Sequence, residues 1–183
     1  MQASLYPAFK TAILAETDPT FVALRQANET GQMADWYNQD TTFVVWRSTA
    51  TTDEILNGVS GANLTPVDTP DSSQLWMNRA LACQTKQMNL QMLLQRQGTL
   101  PVGKLNIRQT LSDALQNVPA GAGGALLDAG WAGAGKVKSI ISRVCNRAEK
   151  VWATGTGTSG VPGDLGAFEG RVTNDDILNA LRS

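Results

Sequence analysis

The sequence predicts a mainly α-helical protein: a helical bundle with a long central helix and a minor β-hairpin or two-stranded element. Apolar residues recur mostly at helical spacing, and capping sequences precede several of these segments. Only residues 42–47 form a convincing run of β-branched and aromatic residues. With 183 residues, 42% of them hydrophobic, the chain can bury a core, and we expect a single domain over residues 1–183.

A helical N-terminal unit is expected over residues 1–40. Residues 7–16 begin with a proline suited to a first helical turn and place their large apolar side chains on one face. Asp18 is a suitable N-cap and Pro19 a suitable first residue for the next helix. A third short helix is expected to begin near Thr30.

The strongest strand candidate is the sequence TFVVWR at residues 42–47. Its expected partner is the sequence FEGRV at residues 168–172. Residues 51–58 and 173–180 follow the pattern of a Thr N-cap with an acidic residue three positions later, which predicts two short helices. Helix capping explains these acidic residues without a metal or a catalytic role.

The longest helical pattern runs from a cap near Ser72 to residue 97 and is the expected spine, about 39 Å long. Residues 104–118 predict another amphipathic helix. Residues 125–153 are expected to be mostly helical, with glycine interruptions, so residues 72–153 form the expected helical core. One face of the long helix collects four apolar residues: Met77, Leu81, Met88 and Met92.

Two features are candidate interface elements. The long helix carries one stripe of glutamines, Gln84, Gln87, Gln91 and Gln95. Such a stripe fits either a solvated face or a protein contact made without burying charge. Residues 154–166 form a Gly/Thr loop that is expected to be flexible and to act as a contact arm. Deletion of residues 155–163 should therefore leave the monomer folded but weaken its assembly with portal or tail partners. Its candidate contact residues are Thr154, Gly155, Thr156, Gly157 and Thr158.

Composition argues against an enzyme. The chain has no histidine and two isolated cysteines, which excludes histidine-based catalysis and the common zinc sites. The sequence GWAGAGKV at residues 130–137 approaches a phosphate-binding loop, but Val137 stands where Ser or Thr would contact Mg²⁺. We therefore expect no enzymatic activity, no cofactor, no metal and no catalytic residues.

The charge is divided along the chain. Residues 1–71 carry −6, residues 72–150 carry +7 and residues 151–183 carry −2, for a net charge of −1. A basic middle segment fits nucleic-acid binding or contact with an acidic part of another copy. Self-association is the preferred interpretation, because the bases are scattered and largely lack interleaved aromatic residues. No membrane-spanning segment or export signal is expected.

Four phrases of the chain resemble a family of small proteins from the structural gene modules of tailed bacteriophages. They are YPAFKTAILA at 6–15, FVVWR at 43–47, NRALACQTKQMNLQ at 78–91 and NRAEKVWATGTGT at 146–158. The resemblance brings no functional residues with it. It implies a structural virion protein assembled in the host cytoplasm, specifically a head-to-tail adaptor or connector subunit that forms an oligomeric ring and contacts portal and tail or neck proteins. Passing contact with DNA is compatible with this position.

Two alternatives belong to other classes. A capsid decoration or tail protein is one, although such proteins are usually β-rich. The other is a DNA-binding or packaging factor that uses the basic segment 72–150, and its affinity for DNA would fall steeply with salt.

Overall fold

The computed structural model describes residues 1–59, 76–95, 98–115 and 135–183. The chain divides into two compact units, the first formed by Met1–Trp46 with Arg143–Ser183 and the second by Arg47–Ser142. The described residues are mainly α-helical, with two small two-stranded sheets. The predicted fold class is confirmed at this level, while the single domain stays a prediction.

The three predicted N-terminal helices are present in the first unit. They are α1 (Tyr6–Ala15), after a 3₁₀ turn at Ala3–Leu5, α2 (Pro19–Gln26) and α3 (Thr30–Tyr37). Asp18 caps α2 by accepting a hydrogen bond from the backbone N–H of Thr20 at 2.9 Å. The cap and the proline that follows it therefore begin this helix as predicted.

A cluster of aromatic side chains organises the core of the first unit. The Phe9 and Phe21 rings contact the Tyr37 ring edge-on, at centroid distances of 4.9 and 5.3 Å. Trp152 bridges from Phe9 to Phe168, which joins residues far apart in the sequence. Edge-to-face packing of this kind adds to the free energy gained from burial alone.

The C-terminal helix completes this core. Helix α9 (Asn174–Arg182) packs against α1 and α3 and buries Ile177 and Ala180. The Thr173 hydroxyl accepts from the N–H of Asp176, and the Asp176 carboxylate accepts from the N–H of Thr173, which completes the predicted capping box. Asp176 also accepts from the amine of Met1 at 2.8 Å, so the capping residue ties α9 to the start of the chain.

Strand β1 (Asp40–Trp46) confirms the predicted strand, but its predicted partner was wrong. It pairs with β4 (Ser142–Asn146), and residues 168–172 form no strand. The prediction of helix through residue 153 fails at the same place, since only the single turn α8 (Arg147–Lys150) follows β4. The apolar spacing around Val144 fits a strand as well as a helix over so few residues, and pairing with β1 decides between them.

The loop after α8 covers the other edge of β1. The backbone N–H of Val44 donates to the carbonyl of Gly157 at 2.8 Å, and the N–H of Gly163 donates to the carbonyl of Val44 at 2.8 Å. The backbone N–H of Trp46 donates to the carbonyl of Gly163 at 2.9 Å. Residues 154–166, predicted to be a flexible arm, are therefore anchored along the strand.

Two glycines explain the low complexity of this loop. Gly157 has a φ of +68°, and a Cβ at this position would overlap the ring of Phe43. A Cβ on Gly163 would also meet that ring and the carbonyl of Thr154. The loop lies against β1 because side chains are missing where the Phe43 ring packs.

A buried carboxylate connects β4, α8 and the chain after Phe168. Glu149 is 1% exposed, and its carboxylate accepts a hydrogen bond from each of the two terminal nitrogens of Arg143, at 2.7 Å each. It also accepts the backbone N–H of Asn146 at 3.1 Å and that of Gly170 at 2.8 Å. Burial alone would raise the pKa of Glu149, but the donors from Arg143, Gly170 and Asn146 outweigh it and lower that pKa.

The second unit contains four helices within the described residues: α4 (Thr52–Gly58), α5 (Trp76–Leu94), α6 (Leu105–Leu115) and α7 (Gly135–Ile140). Strands β2 (Ala50–Thr51) and β3 (Thr99–Leu100) pair antiparallel. α5 packs against α6, and α4 against α7. α5 accounts for residues 76–94 of the predicted 72–97 helix, and Gln95 lies in a turn. Residues 72–75 and 96–97 lie outside the described residues, so the long central helix stays a prediction.

The first turn of α4 confirms its predicted capping box. The Thr51 hydroxyl accepts from the N–H of Glu54, and the Glu54 carboxylate accepts from the N–H of Thr51 at 2.8 Å. The same carboxylate accepts from Arg47 at 3.0 Å, and Arg47 also donates to the carbonyl of Ile140 at 2.9 Å. The Thr51 backbone N–H, Arg47 and the Thr51 hydroxyl lower the pKa of Glu54 to about 2.

The substitution Gly157→Ala is expected to lower the free energy of unfolding of the first unit by about 2–4 kcal/mol, because it combines the φ strain with overlap on Phe43. Gly160→Ala is the control, since its Cβ would meet only the Thr158 hydroxyl at 3.8 Å. Urea denaturation of both variants measures the effect. Equal stability of the two variants would show that the loop is not anchored on β1.

The substitution Glu149→Gln is expected to cost about 2–4 kcal/mol, because it leaves the Arg143 guanidinium without its buried counter-charge. The lowered pKa means that ionised Glu149 stabilises the fold above its usual value of 4.5, and that this stability is lost as the pH falls through the folded-state pKa. Below about pH 4.5, the free energy of unfolding should therefore fall more steeply with decreasing pH in the wild type than in the variant.

The matched control is Glu169→Gln. Glu169 is 42% exposed on its side chain and lies 3.3 Å from Arg143, so its loss should cost less than about 1 kcal/mol. If both variants lose the same stability, the buried carboxylate has no special role.

Candidate protein interface

Helix α5 buries one side and exposes the other. Leu90 is 5% exposed and faces inward, whereas Leu81, Met88 and Met92 are 62–63% exposed. At 3.6 residues per turn, these three residues lie on the side of the helix opposite Leu90. The apolar stripe predicted from spacing is therefore correct as a stripe over these residues, but it faces solvent.

The exposed residues of α5 and the residue after it follow a regular pattern. Leu81, Thr85, Met88, Met92 and Gln95 are all exposed and separated alternately by four and three positions. This spacing is that of the contact positions by which one helix packs along another. We call these five residues the outer seam.

Of the four predicted glutamines, three lie beside the outer seam and the last, Gln95, belongs to it. Gln84, Gln87, Gln91 and Gln95 are all exposed. A groove of about 360 Å³ lies on the glutamine side of the helix, lined by Leu56, Gln87, Leu90, Gln91, Leu94 and Gln95. Its lining therefore consists of three leucines and three uncharged glutamines, and Leu56 of α4 is 50% exposed.

The candidate contact residues of the Gly/Thr loop at 154–166 belong to the first unit. Thr154, Gly155, Thr156 and Thr158 are exposed, whereas Gly157 is buried against β1. Sequence reasoning missed Val161, which is 60% exposed within a tight turn closed by the Thr158 N–H and the Val161 carbonyl. Val161 is the one large aliphatic side chain in residues 154–162, and this composition is the signal that could have marked it.

The basic segment predicted over residues 72–150 is divided between the two units. Arg143, Arg147 and Lys150 belong to the first unit, and Arg143 is paired with Glu149 and Glu169. By sequence, the first unit has seven bases and ten acids, for −3, and the second has eight bases and six acids, for +2. The predicted +7 stretch is thus divided between the two units.

A metal centre and a membrane span are two further kinds of site that can be looked for in the part of the chain that the structure describes. No group of three or more potential metal ligands occurs there, and none of its helices has the length and apolarity needed to cross a membrane. Val137 of the incomplete phosphate-loop sequence is fully buried, while residues 130–134 lie outside the described residues. Comparison of the chain with protein-family models, curated proteins and solved structures finds no match.

Proposed function

We propose that this protein is a structural subunit of a tailed-phage virion, a head-to-tail adaptor that assembles into a ring and docks to portal or tail proteins. The outer seam of α5 is the observation that carries the proposal. The resemblance of four sequence phrases to phage structural proteins supports its placement in a virion. In this proposal α5 belongs to a long scaffold helix over residues 72–97, and the loop at 154–166 contributes a contact.

The outer seam favours protein association because three of its five residues are large, exposed apolar side chains. Fully burying a side chain such as Leu81 or Met88 contributes about 1.5–3 kcal/mol. Exposed apolar patches with polar rims are typical of interaction sites, and methionine is enriched at their centres. The glutamines can enter such a contact without the cost of desolvating a charge.

Opposite formal charges favour contact between unlike faces of two copies. The second unit, which carries α5, is +2, and the first unit is −3. A contact between unlike faces is heterologous, and repetition of such a contact closes a ring when the rotation permits. We therefore propose that the outer seam of one copy lies against the first unit of the next copy.

Met88→Glu is expected to abolish or strongly weaken ring assembly, because it places a charge at the centre of the outer seam. Native mass spectrometry of the purified protein, alone and with the portal protein of the same genome, measures the assembly. Asn89→Glu is the matched control, since it adds the same charge to an exposed neighbour outside the seam.

The proposal would be overturned in favour of the DNA-binding alternative if the wild type is monomeric, does not bind the portal protein and binds duplex DNA at low salt. Equal loss of assembly in both variants would assign the effect to charge in general rather than to the seam. Far-UV circular dichroism of each variant establishes that the helices are intact.

A further inference from the structure

A pocket lined by both charged and apolar residues lies within the first unit, apart from the proposed interface on α5. Its volume is about 610 Å³, within the range of small-molecule sites. It is lined by residues of α1, α3, β1 and α8 and by nearby positions: Ala12, Glu16, Tyr37, Asp40, Thr41, Thr42, Arg147, Lys150 and Val151.

Tyr37 places a hydroxyl without a protein partner in the wall of this pocket. The side chain is 3% exposed, and its ring is fixed between Phe9 and Phe21. Within the described residues the hydroxyl makes no hydrogen bond to another residue, so it is available to a ligand in the pocket. Burial raises the pKa of Tyr37 most, and the negative charge of Glu16 raises it further. The hydroxyl therefore keeps its proton and can donate a hydrogen bond.

Arg147 is held in place without a carboxylate partner. Its guanidinium carbon lies 3.8 Å from the centroid of the Trp36 ring, and its backbone N–H donates to the carbonyl of Gln39 at 3.0 Å. Neither Arg147 nor Lys150, one helical turn later, forms an ion pair within the described part of the chain. A guanidinium held over the face of an indole can still present N–H donors to a carboxylate.

Two carboxylates balance these cations. Glu16 is oriented by the backbone N–H groups of Thr17 and Asp18, at 2.9 and 3.1 Å, and Asp40 begins β1. With Arg147 and Lys150, the wall carries two charges of each sign. A multiply charged anion would be repelled by Glu16 and Asp40, whereas a ligand with one carboxylate and one ammonium can satisfy both sides.

We propose that this pocket binds a small zwitterion of the amino-acid or dipeptide class. The carboxylate of the ligand is held by Arg147 and Lys150, with a further hydrogen bond from Tyr37, and its ammonium lies towards Glu16 and Asp40. The pocket is complete within one copy, because every lining residue belongs to the first unit, so a failure of ring assembly would not by itself remove this binding.

The test uses glycylglycine as the probe and follows its binding to the full chain by chemical-shift changes of backbone amides. Two further probes remove one charge each: N-acetylglycine lacks the ammonium, and glycinamide lacks the carboxylate. We expect glycylglycine to shift the amides around Tyr37 and Arg147 at millimolar concentration, with at least about tenfold weaker binding of either analogue.

Two variants then test the residues. Arg147→Ala and Tyr37→Phe should each weaken glycylglycine binding, by about tenfold or more for the arginine and about three- to tenfold for the hydroxyl. Arg171→Ala is the control, because it removes an exposed cation of the same unit outside the pocket. Amide spectra of the free variants show whether the fold is kept, and Tyr37→Phe retains the ring that packs in the core.

Three outcomes would overturn the proposal. They are the absence of shifts with all three probes, equal binding of N-acetylglycine and glycylglycine, which would mean a site for simple anions, and unchanged binding in both pocket variants.

Discussion

The first unit depends on one buried carboxylate. Asn146 caps the turn α8 that follows β4 by accepting from the backbone N–H of Glu149. The Glu149 carboxylate accepts in return from the backbone N–H of Asn146, and the same two oxygens accept from Arg143 and from the backbone N–H of Gly170. A carboxylate that is 1% exposed is costly to bury unless its acceptor sites are filled. Because four donors converge on it, Glu149 fixes where β4 stops and where the chain returns after Phe168.

The segment that follows residue 167 completes the core of the first unit. Phe168 joins the aromatic cluster through Trp152, and Val172 is held by two hydrogen bonds with the side chain of Asn38, at 2.8 and 2.9 Å. Helix α9 then follows directly from its Thr173 cap. On the other side, the anchored loop covers β1, so the strand has no bare edge along Val44 and Trp46, where an unpaired strand would invite aggregation.

Local signals in the sequence were enough to place most helices. The Asp18 cap with its proline and the Thr51 and Thr173 capping boxes each fix a helix start through contacts within three residues. The partner of β1 could not be found in this way, because residues 142–146 are too few to separate strand spacing from helix spacing. Composition also misled at residues 154–166, where glycine signals close packing on Phe43 rather than flexibility.

The candidate surfaces were only partly visible in the sequence for a related reason. Spacing placed Leu81, Met88 and Met92 on one face of a helix, but it could not say whether that face or the side of Leu90 meets the core. Charge sums along the chain likewise hid the fact that Arg143 and Arg147 fold beside acidic residues of the first unit. The pocket at Tyr37 joins four separate elements, so no local pattern marks it.

The two kinds of surface would contribute differently to an assembly. Burial of the outer seam supplies free energy that salt hardly weakens, while attraction between units of opposite charge acts over about 8–10 Å and is screened by salt. Affinity would therefore rest on the apolar seam, and the charges would select which face of the next copy it meets. Neutral glutamines beside the seam suit this division, because a lysine at Gln91 would have to be desolvated or paired at every contact.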